Sequence, residues 1–184
     1  MSNRNTSVAS VILCACSFVG LAAMSGLGEA PSREVLPAVQ FVGQDSKIAQ
    51  PRFVLAKDED AWLKIWTEHT GAAAGQSPPA RHAAPKVDFS RYMVVGIFDG
   101  AGVNTDGLIA QSVLVRDDVV RIRFETSSFQ TFSSGPGRDQ GVKTSCYGMW
   151  VIEKSDKPIV LERGMQQLKN QPMQWKEVKR LDAK

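Results

Sequence analysis

Residues 85–107 read PKVDFSRYMVVGIFDGAGVNTDG, and the centre of this stretch is the most strongly apolar run outside the N-terminal segment. Residues 92–98 (YMVVGIF) include β-branched side chains and have turn-forming residues on both sides. A run with these properties is typical of a strand that is buried on both faces. We therefore predict that residues 92–98 form the central strand of a sheet and that residues 100–107 form a glycine-rich loop after it.

The stretch before this strand predicts a strand followed directly by a helix. Residues 51–56 (PRFVLA) form a compact apolar run, and Asp58 is placed to cap a helix because its carboxylate can accept amide hydrogens of the first turn. Gly71 is a natural stop for that helix. The predicted inward face follows one-face helical spacing at Trp62, Ile65, Trp66 and His69.

The stretch after the central strand has the pattern of β-structure. Residues 108–116 and 119–124 flank Asp117-Asp118 and predict a hairpin, whose second arm alternates apolar and charged residues. Residues 147–153 predict another strand, paired across a turn with residues 159–163. Residues 174–181 predict the last strand, with Trp175 as its anchor.

These elements predict an α+β fold, in which one helix packs on a twisted, mostly antiparallel β-sheet or partly closed barrel of about six to eight strands. The chain has 184 residues, of which 43% are apolar, and this is an ordinary balance for one domain. We assign residues 1–25 to a leader, residues 26–45 to a linker and residues 46–184 to the domain. Within the linker, residues 39–42 (VQFV) are a candidate short edge strand.

The leader has the order of a secretory signal. Arg4 is the sole charge before Glu29, and residues 8–23 contain no charged side chain. Cleavage after Ser25 would remove the segment. Two alternatives remain open: Cys16 as the acylated residue of a lipoprotein, and retention of residues 8–27 as a membrane anchor. All three predict an exported protein, periplasmic, envelope-anchored or secreted. It would meet the membrane only through the leader, if the leader is retained or acylated.

The sequence contains no recognisable catalytic or metal-binding motif. The two histidines, His69 and His82, have no partner at a metal-ligand or triad spacing. Once a leader with two of the three cysteines is removed, Cys146 is left alone, and we interpret it as a packed thiol. We predict no catalytic residue, metal or cofactor, although a small hydrolase or metal-dependent enzyme built from Asp99, Asp106 and a histidine remains an alternative.

Two polar segments are the candidate binding surface. Residues 101–107 and 129–141 are predicted as long loops, and long loops are costly to keep without a use. Phe129 and Phe132 are expected to pin the near half of the connection over residues 126–143 to the core. The alternative is that both are ordinary solvated loops. Basic residues near the C-terminus are diluted by acidic ones, so no nucleic-acid partner is predicted. The candidate contact residues for an unknown protein partner in the cell envelope are Asn104, Asp106, Gly107, Phe129, Gln130 and Arg138.

The order of segments adds a resemblance. Residues 61–66 (AWLKIW), residues 87–100 (VDFSRYMVVGIFDG) and residues 143–148 (KTSCYG) resemble, over residues 46–163, the PrcB-like domain family, named after an accessory subunit of an exported bacterial protease complex. The resemblance implies an exported bacterial α+β domain that binds or stabilises a protein and has no chemistry of its own; a structural envelope lipoprotein is a further alternative. The chain departs from the family pattern at residues 104–107 and 144–146, which puts contacts through those loops in doubt.

Overall fold

The computed structural model describes residues 32–72, 83–132, 141–165 and 170–183, and these residues form one α-helix and nine β-strands. The predicted α+β class is confirmed. In chain order the elements are β1 (Arg33–Val35), β2 (Val39–Gly43), β3 (Arg52–Ala56), α1 (Glu59–Thr70), β4 (Tyr92–Val103), β5 (Thr105–Val115), β6 (Val120–Ser128), β7 (Lys143–Glu153), β8 (Ile159–Met165) and β9 (Gln174–Leu181).

The described strands form two sheets rather than a closed barrel. The five-stranded sheet has the order β1-β5-β6-β8-β9, and the four-stranded sheet has the order β2-β7-β4-β3. All neighbours are antiparallel except β6 and β8, which are parallel. Helix α1 packs on the outer face of the four-stranded sheet, so the molecule has three layers.

Strand β4 is the interior strand that its apolar run predicts. Successive side chains of a strand point to opposite faces, and here both faces are covered. Met93, Val95 and Ile97 are fully buried between the two sheets. Val94 and Phe98 are buried on the other face, beneath α1. The apolar run of β4 is continuous because its successive side chains enter the two cores alternately.

Helix α1 begins and ends at the predicted residues. The Asp58 carboxylate accepts a hydrogen bond from the amide of Ala61 at 2.8 Å. Gly71 adopts the left-handed conformation at φ 71°, and its amide donates to the carbonyl of Thr67 at 3.0 Å. Trp62 is buried against the sheet, where its ring stacks on Phe41 with centroids 5.8 Å apart. Local propensity and tertiary packing agree here.

The predicted glycine-rich loop over residues 100–107 is wrong. Strand β4 runs on to Val103, β5 begins at Thr105, and Asn104 alone lies between them. The chain leaves the four-stranded sheet and enters the five-stranded sheet at this residue. Gly100, at φ 77°, follows a β-bulge at which the pairing of β4 with β7 shifts by one residue. Bulges accommodate an extra residue within a strand, which explains glycine here without a loop.

The predicted hairpin of β5 and β6 is confirmed, but the predicted pairing of β7 with β8 is wrong. Strand β7 has β2 on one side and β4 on the other, so both of its edges are occupied. After the turn, β8 crosses to the other sheet and pairs in parallel with β6. The crossing at residues 154–158 connects the two layers.

Residues 33–43 form β1 and β2, although the sequence assigned them to a linker. Both are short edge strands, held by backbone pairing to β5 and β7 respectively, and their side chains are exposed or half-buried. Strands with so little burial show no alternating apolar pattern, so the sequence did not reveal β1. The short edge strand predicted over residues 39–42 is confirmed as β2. The leader with Cys16 lies outside the described residues. Within the described ranges, no helix has the length and apolar character needed to cross a membrane.

Candidate binding surface

One end of the two sheets brings together several of the residues that the sequence singled out. At this end β4, β6 and β8 finish and β5, β7 and β9 begin, and the turn at Asn104 connects the layers. We call it the Asn104 end. It is built from chain segments that are distant in sequence, because antiparallel neighbours bring alternate strand ends together.

Asn104 is the residue that holds this end together. It adopts a left-handed conformation at φ 56°, which asparagine tolerates better than most residues. Its amide donates to the carbonyl of Val142 at 2.9 Å, and its carbonyl accepts from the amide of Phe129 at 3.0 Å. Its side-chain Oδ1 accepts from the amide of Val142 at 2.7 Å, and Nδ2 donates to Thr131 Oγ1 at 3.3 Å. The corner thus fixes both described flanks of the predicted 129–141 segment.

Exposed apolar side chains are concentrated at the same end. Within the described residues nine large apolar side chains are exposed, and five of these lie at the Asn104 end. Phe132 is 92% exposed, and the other four are between 41% and 52% exposed. Single exposed apolar residues are normal, but a gathering of them marks an interaction site. The five are Val103, Phe132, Val142, Met165 and Met173.

The exposure of Phe132 contradicts the prediction that this ring packs on the core, and it supports the prediction that its segment belongs to a binding surface. The sequence predicted that Phe129 and Phe132 pin the near half of their segment to the core. Phe129 is half-buried and bonded to Asn104 through its amide, whereas the Phe132 ring is directed to solvent. The anchoring therefore comes from Asn104 rather than from Phe132, and the Phe132 ring is available for contact with another molecule.

A polar layer lies beneath this surface, between the sheets. The bulge in β4 places Asp99 toward the five-stranded sheet, where Arg163 Nη2 donates to Asp99 Oδ1 at 2.5 Å. The Arg163 guanidinium also lies over the ring of Phe124, 5.2 Å from its centroid. Thr105 and Thr144 share a hydrogen bond of 2.7 Å. These contacts connect β4 to β8 and β5 to β7, so they fix the two sheets relative to each other at the Asn104 end.

Cys146 belongs to this layer as a buried thiol, as the sequence predicted. It is 2% exposed, and its Sγ lies 4.0 Å from Asp99 Oδ2. Burial raises the pKa of the Cys146 thiol and the Asp99 charge raises it further, while the hydrogen bond with Thr105 and the charge of Arg163 oppose the increase. The thiol is therefore protonated at neutral pH, and a protonated thiol is a poor nucleophile.

The structure distributes the predicted contact residues unevenly. Asn104, Phe129 and Gln130 meet at the Asn104 end, and Asp106 is exposed on β5 next to them. Gly107 is buried instead of exposed: a Cβ built on it would lie 2.3 Å from Val42 Cγ1, so this glycine allows β2 to approach. Arg138 lies outside the described residues.

Met165 and Met173 were missed by the sequence reading. Each is a single apolar residue at a strand boundary in a polar stretch, so no periodicity marks it. Gly164 is the one local sign that the backbone is approached closely there: a Cβ on it would lie 3.2 Å from Met173 Sδ. Their contribution to the surface becomes visible when the sheet brings β8 and β9 beside the other segments.

The three described members of the alternative enzyme site do not meet. His69 lies in the last turn of α1 and is buried between the helix and the four-stranded sheet. Its Nδ1 lies 3.1 Å from Ser46 Oγ, and its ring centroid lies 4.2 Å from that of Tyr147. Asp99 faces the opposite side of the same sheet, toward Arg163, and Asp106 is on the other sheet. His82 lies outside the described residues. In the described part of the chain, no group of three or more His, Cys, Asp or Glu residues is arranged to hold a metal ion.

Comparisons with known proteins find no family model, no curated protein and no solved structure that matches this chain significantly. The resemblance to the PrcB-like family is therefore carried by the residues quoted above and stays a prediction.

Proposed function

We propose that this protein is an exported, non-enzymatic domain that binds and steadies a protein partner through the Asn104 end. The observation that carries the proposal is the gathering of five exposed apolar side chains from separate chain segments at one end of the sheets. Burying them against a partner would remove apolar surface from water, which is the main favourable contribution in protein association.

The chemistry of this surface suits a protein more than a charged small molecule. Phenylalanine and methionine are enriched in the cores of protein interfaces, and the flexible thioether of methionine adapts to differently shaped surfaces. Around these side chains lie polar groups, including Asp106 and Gln130, which suit a solvated rim. An apolar centre with a polar rim is the usual anatomy of a stable interface.

Hydrogen bonds and an ion pair within the protein also hold the Asn104 end in place before any partner binds. Asn104 makes four hydrogen bonds to the two flanks of the 129–141 segment, and the Asp99–Arg163 ion pair braces the sheets beneath. A surface that is ordered before association loses less conformational entropy when it binds. This arrangement supports recognition by a fixed platform.

The predicted leader and the family resemblance indicate the kind of partner. The leader predicts export, so the partner is expected in the cell envelope, and the resemblance implies an accessory role in a protease complex. The two places where this chain departs from the family pattern, residues 104–107 and 144–146, both lie at the Asn104 end or directly beneath it. We therefore expect this chain to bind a partner of its own through contacts that differ from those of the family.

Affinity capture from a cell-envelope extract tests the proposal. The chain as exported should recover a reproducible protein partner, and the double variant Phe132→Ser/Val142→Ser should lose it, because each change removes exposed apolar surface from the Asn104 end. Leu63→Ser is the matched control, since Leu63 is exposed to a similar degree as Val142 but lies on α1. Recovery of no partner, or equal recovery by the double variant, would contradict the proposal.

A further inference from the structure

The opposite end of the two sheets contains a cleft of about 590 Å³. It lies where β4 begins and β5 and β7 finish, between the edge strand β1 and the turn that connects β7 to β8. We call it the valine cleft. Its apolar lining includes Val35, Leu36, Val113, Val115, Val120 and Ile152.

The floor of the valine cleft is part of the core between the sheets. Val113, Val120 and Ile152 are each at most 3% exposed and belong to the inter-sheet cluster. Leu36, by contrast, is 68% exposed and lies at the mouth of the cleft. A concave, largely apolar site of this size is typical of pockets for small molecules. The cleft therefore suits an apolar group that enters between the sheets.

The charges around the mouth are not balanced. The Arg33 guanidinium donates to both carboxylate oxygens of Glu153, at 3.2 and 3.1 Å, so these two charges neutralise each other. Asp156 is exposed and lies 3.8 Å from Lys57 Nζ. Two further cations, Lys154 and Lys157, complete the rim.

Lys154 and Lys157 are positioned by backbone carbonyls rather than by carboxylates. Lys154 Nζ donates to the carbonyl of Phe89 at 2.9 Å and to that of Lys57 at 3.5 Å. Lys157 Nζ donates to the carbonyl of Arg116 at 2.6 Å. Among the ion pairs of the described residues neither lysine has a carboxylate partner. No described carboxylate neutralises these two lining residues, and an ammonium group has three N–H donors. Lys154 therefore keeps one N–H for a ligand and Lys157 keeps two.

We infer that the valine cleft binds a single-chain fatty carboxylate, with the apolar chain between the sheets and the carboxylate at Lys154 and Lys157. The apolar lining supplies the burial of the chain, and the two ammonium groups supply charge-assisted hydrogen bonds to the head group, which are stronger than neutral ones. This site is separate from the Asn104 end, so it does not depend on the partner proposed there.

Calorimetric titration of the full chain with decanoate and with decanol, below the concentrations at which they form aggregates, tests this inference. The two probes have the same chain length and differ in the head group. Decanoate should bind saturably at one site and about tenfold more tightly than decanol. Absence of saturable decanoate binding, or equal affinity for the two probes, would overturn the inference.

Two sets of variants locate the site. Lys154→Gln/Lys157→Gln should weaken decanoate binding about tenfold, to the level of decanol, and leave decanol binding unchanged. Val115→Trp should abolish binding of both probes by filling the cleft. If that variant does not fold, the decanoate affinity of Lys154→Gln/Lys157→Gln is the deciding measurement. Lys64→Gln/Lys176→Gln removes two exposed lysines elsewhere and is the matched control. Decanoate binding that survives the Lys154/Lys157 change would overturn the assignment of the head-group site.

Discussion

His69 shows how one buried side chain makes stability depend on pH. The ring is 5% exposed and packs among Trp66, Phe98 and Tyr147. Burial lowers the pKa of His69 from its ordinary value of 6.5, and the charge of Asp45 opposes part of that shift. In the folded protein the imidazole is therefore neutral at pH values where the unfolded chain is already protonated.

This difference sets the direction of the pH effect. The unfolded state binds the His69 proton more readily than the folded state does. The free energy of unfolding therefore decreases as pH falls below 6.5 toward the folded-state pKa of His69. Above pH 6.5 the stabilisation is fully present. Urea unfolding at pH 8 and pH 5 should show a larger loss for the wild type than for His69→Gln. An equal loss in the two proteins would show that His69 is not responsible.

Gly107 and Gly148 show why the role of a glycine could not be predicted from the sequence alone. Gly107 was assigned to a binding loop, but the structure places it where β2 approaches β5. A Cβ on Gly148 would lie 2.3 Å from the backbone carbonyl oxygen of Leu108, so this glycine also marks a close approach of the two sheets. Turn formation and close packing both select glycine, and the sequence does not distinguish them before the neighbouring strand is known.

At the scale of elements, Gln40 joins the two sheets along one side. Its Oε1 accepts from the amide of Ala110 at 2.9 Å, and its Nε2 donates to the carbonyl of Ala110 at 3.2 Å. Ala110 lies where the pairing of β5 with β6 shifts by one residue, so its backbone groups turn away from the regular ladder. The side chain of β2 thus replaces a missing strand partner on β5.

Gln40→Ala should lower the free energy of unfolding by about 1–3 kcal/mol, because it leaves buried backbone groups of Ala110 without a partner. Gln44→Ala removes an exposed glutamine just after the same strand and should change it by less than about 0.5 kcal/mol. Urea denaturation measures both values. A cost for Gln40→Ala as small as that of its control would show that the bridge between the sheets contributes nothing.

The elements that sequence reasoning predicted well are those whose signals are local. Strand β4 is set by its apolar run, α1 by Asp58 and Gly71, and the β5–β6 hairpin by alternation around a short turn. The pairing of β8 was not predictable in this way, since a short apolar run favours a buried strand without indicating which sheet receives it. Edge strand β1 was missed because backbone pairing to β5 holds it and its side chains are little buried, whereas the short apolar run at residues 39–42 did indicate β2.

At the scale of the whole molecule, the two ends of the sheets have different characters. The Asn104 end presents flexible apolar side chains on a braced platform, and the opposite end opens into the valine cleft. The candidate surface was partly predictable, because Asn104, Phe129 and Gln130 belong to the segments that the sequence singled out. Met165 and Met173 join them through sheet topology alone, which no linear pattern encodes.

Site-specific photocrosslinking in intact cells tests the protein-binding role of the Asn104 end most directly. A photoreactive phenylalanine analogue replaces Phe132 in one version of the full chain and Leu63, exposed on α1, in another. The proposed function predicts one reproducible protein adduct from position 132 and none from position 63. No adduct from position 132, or the same adducts from both positions, would contradict it.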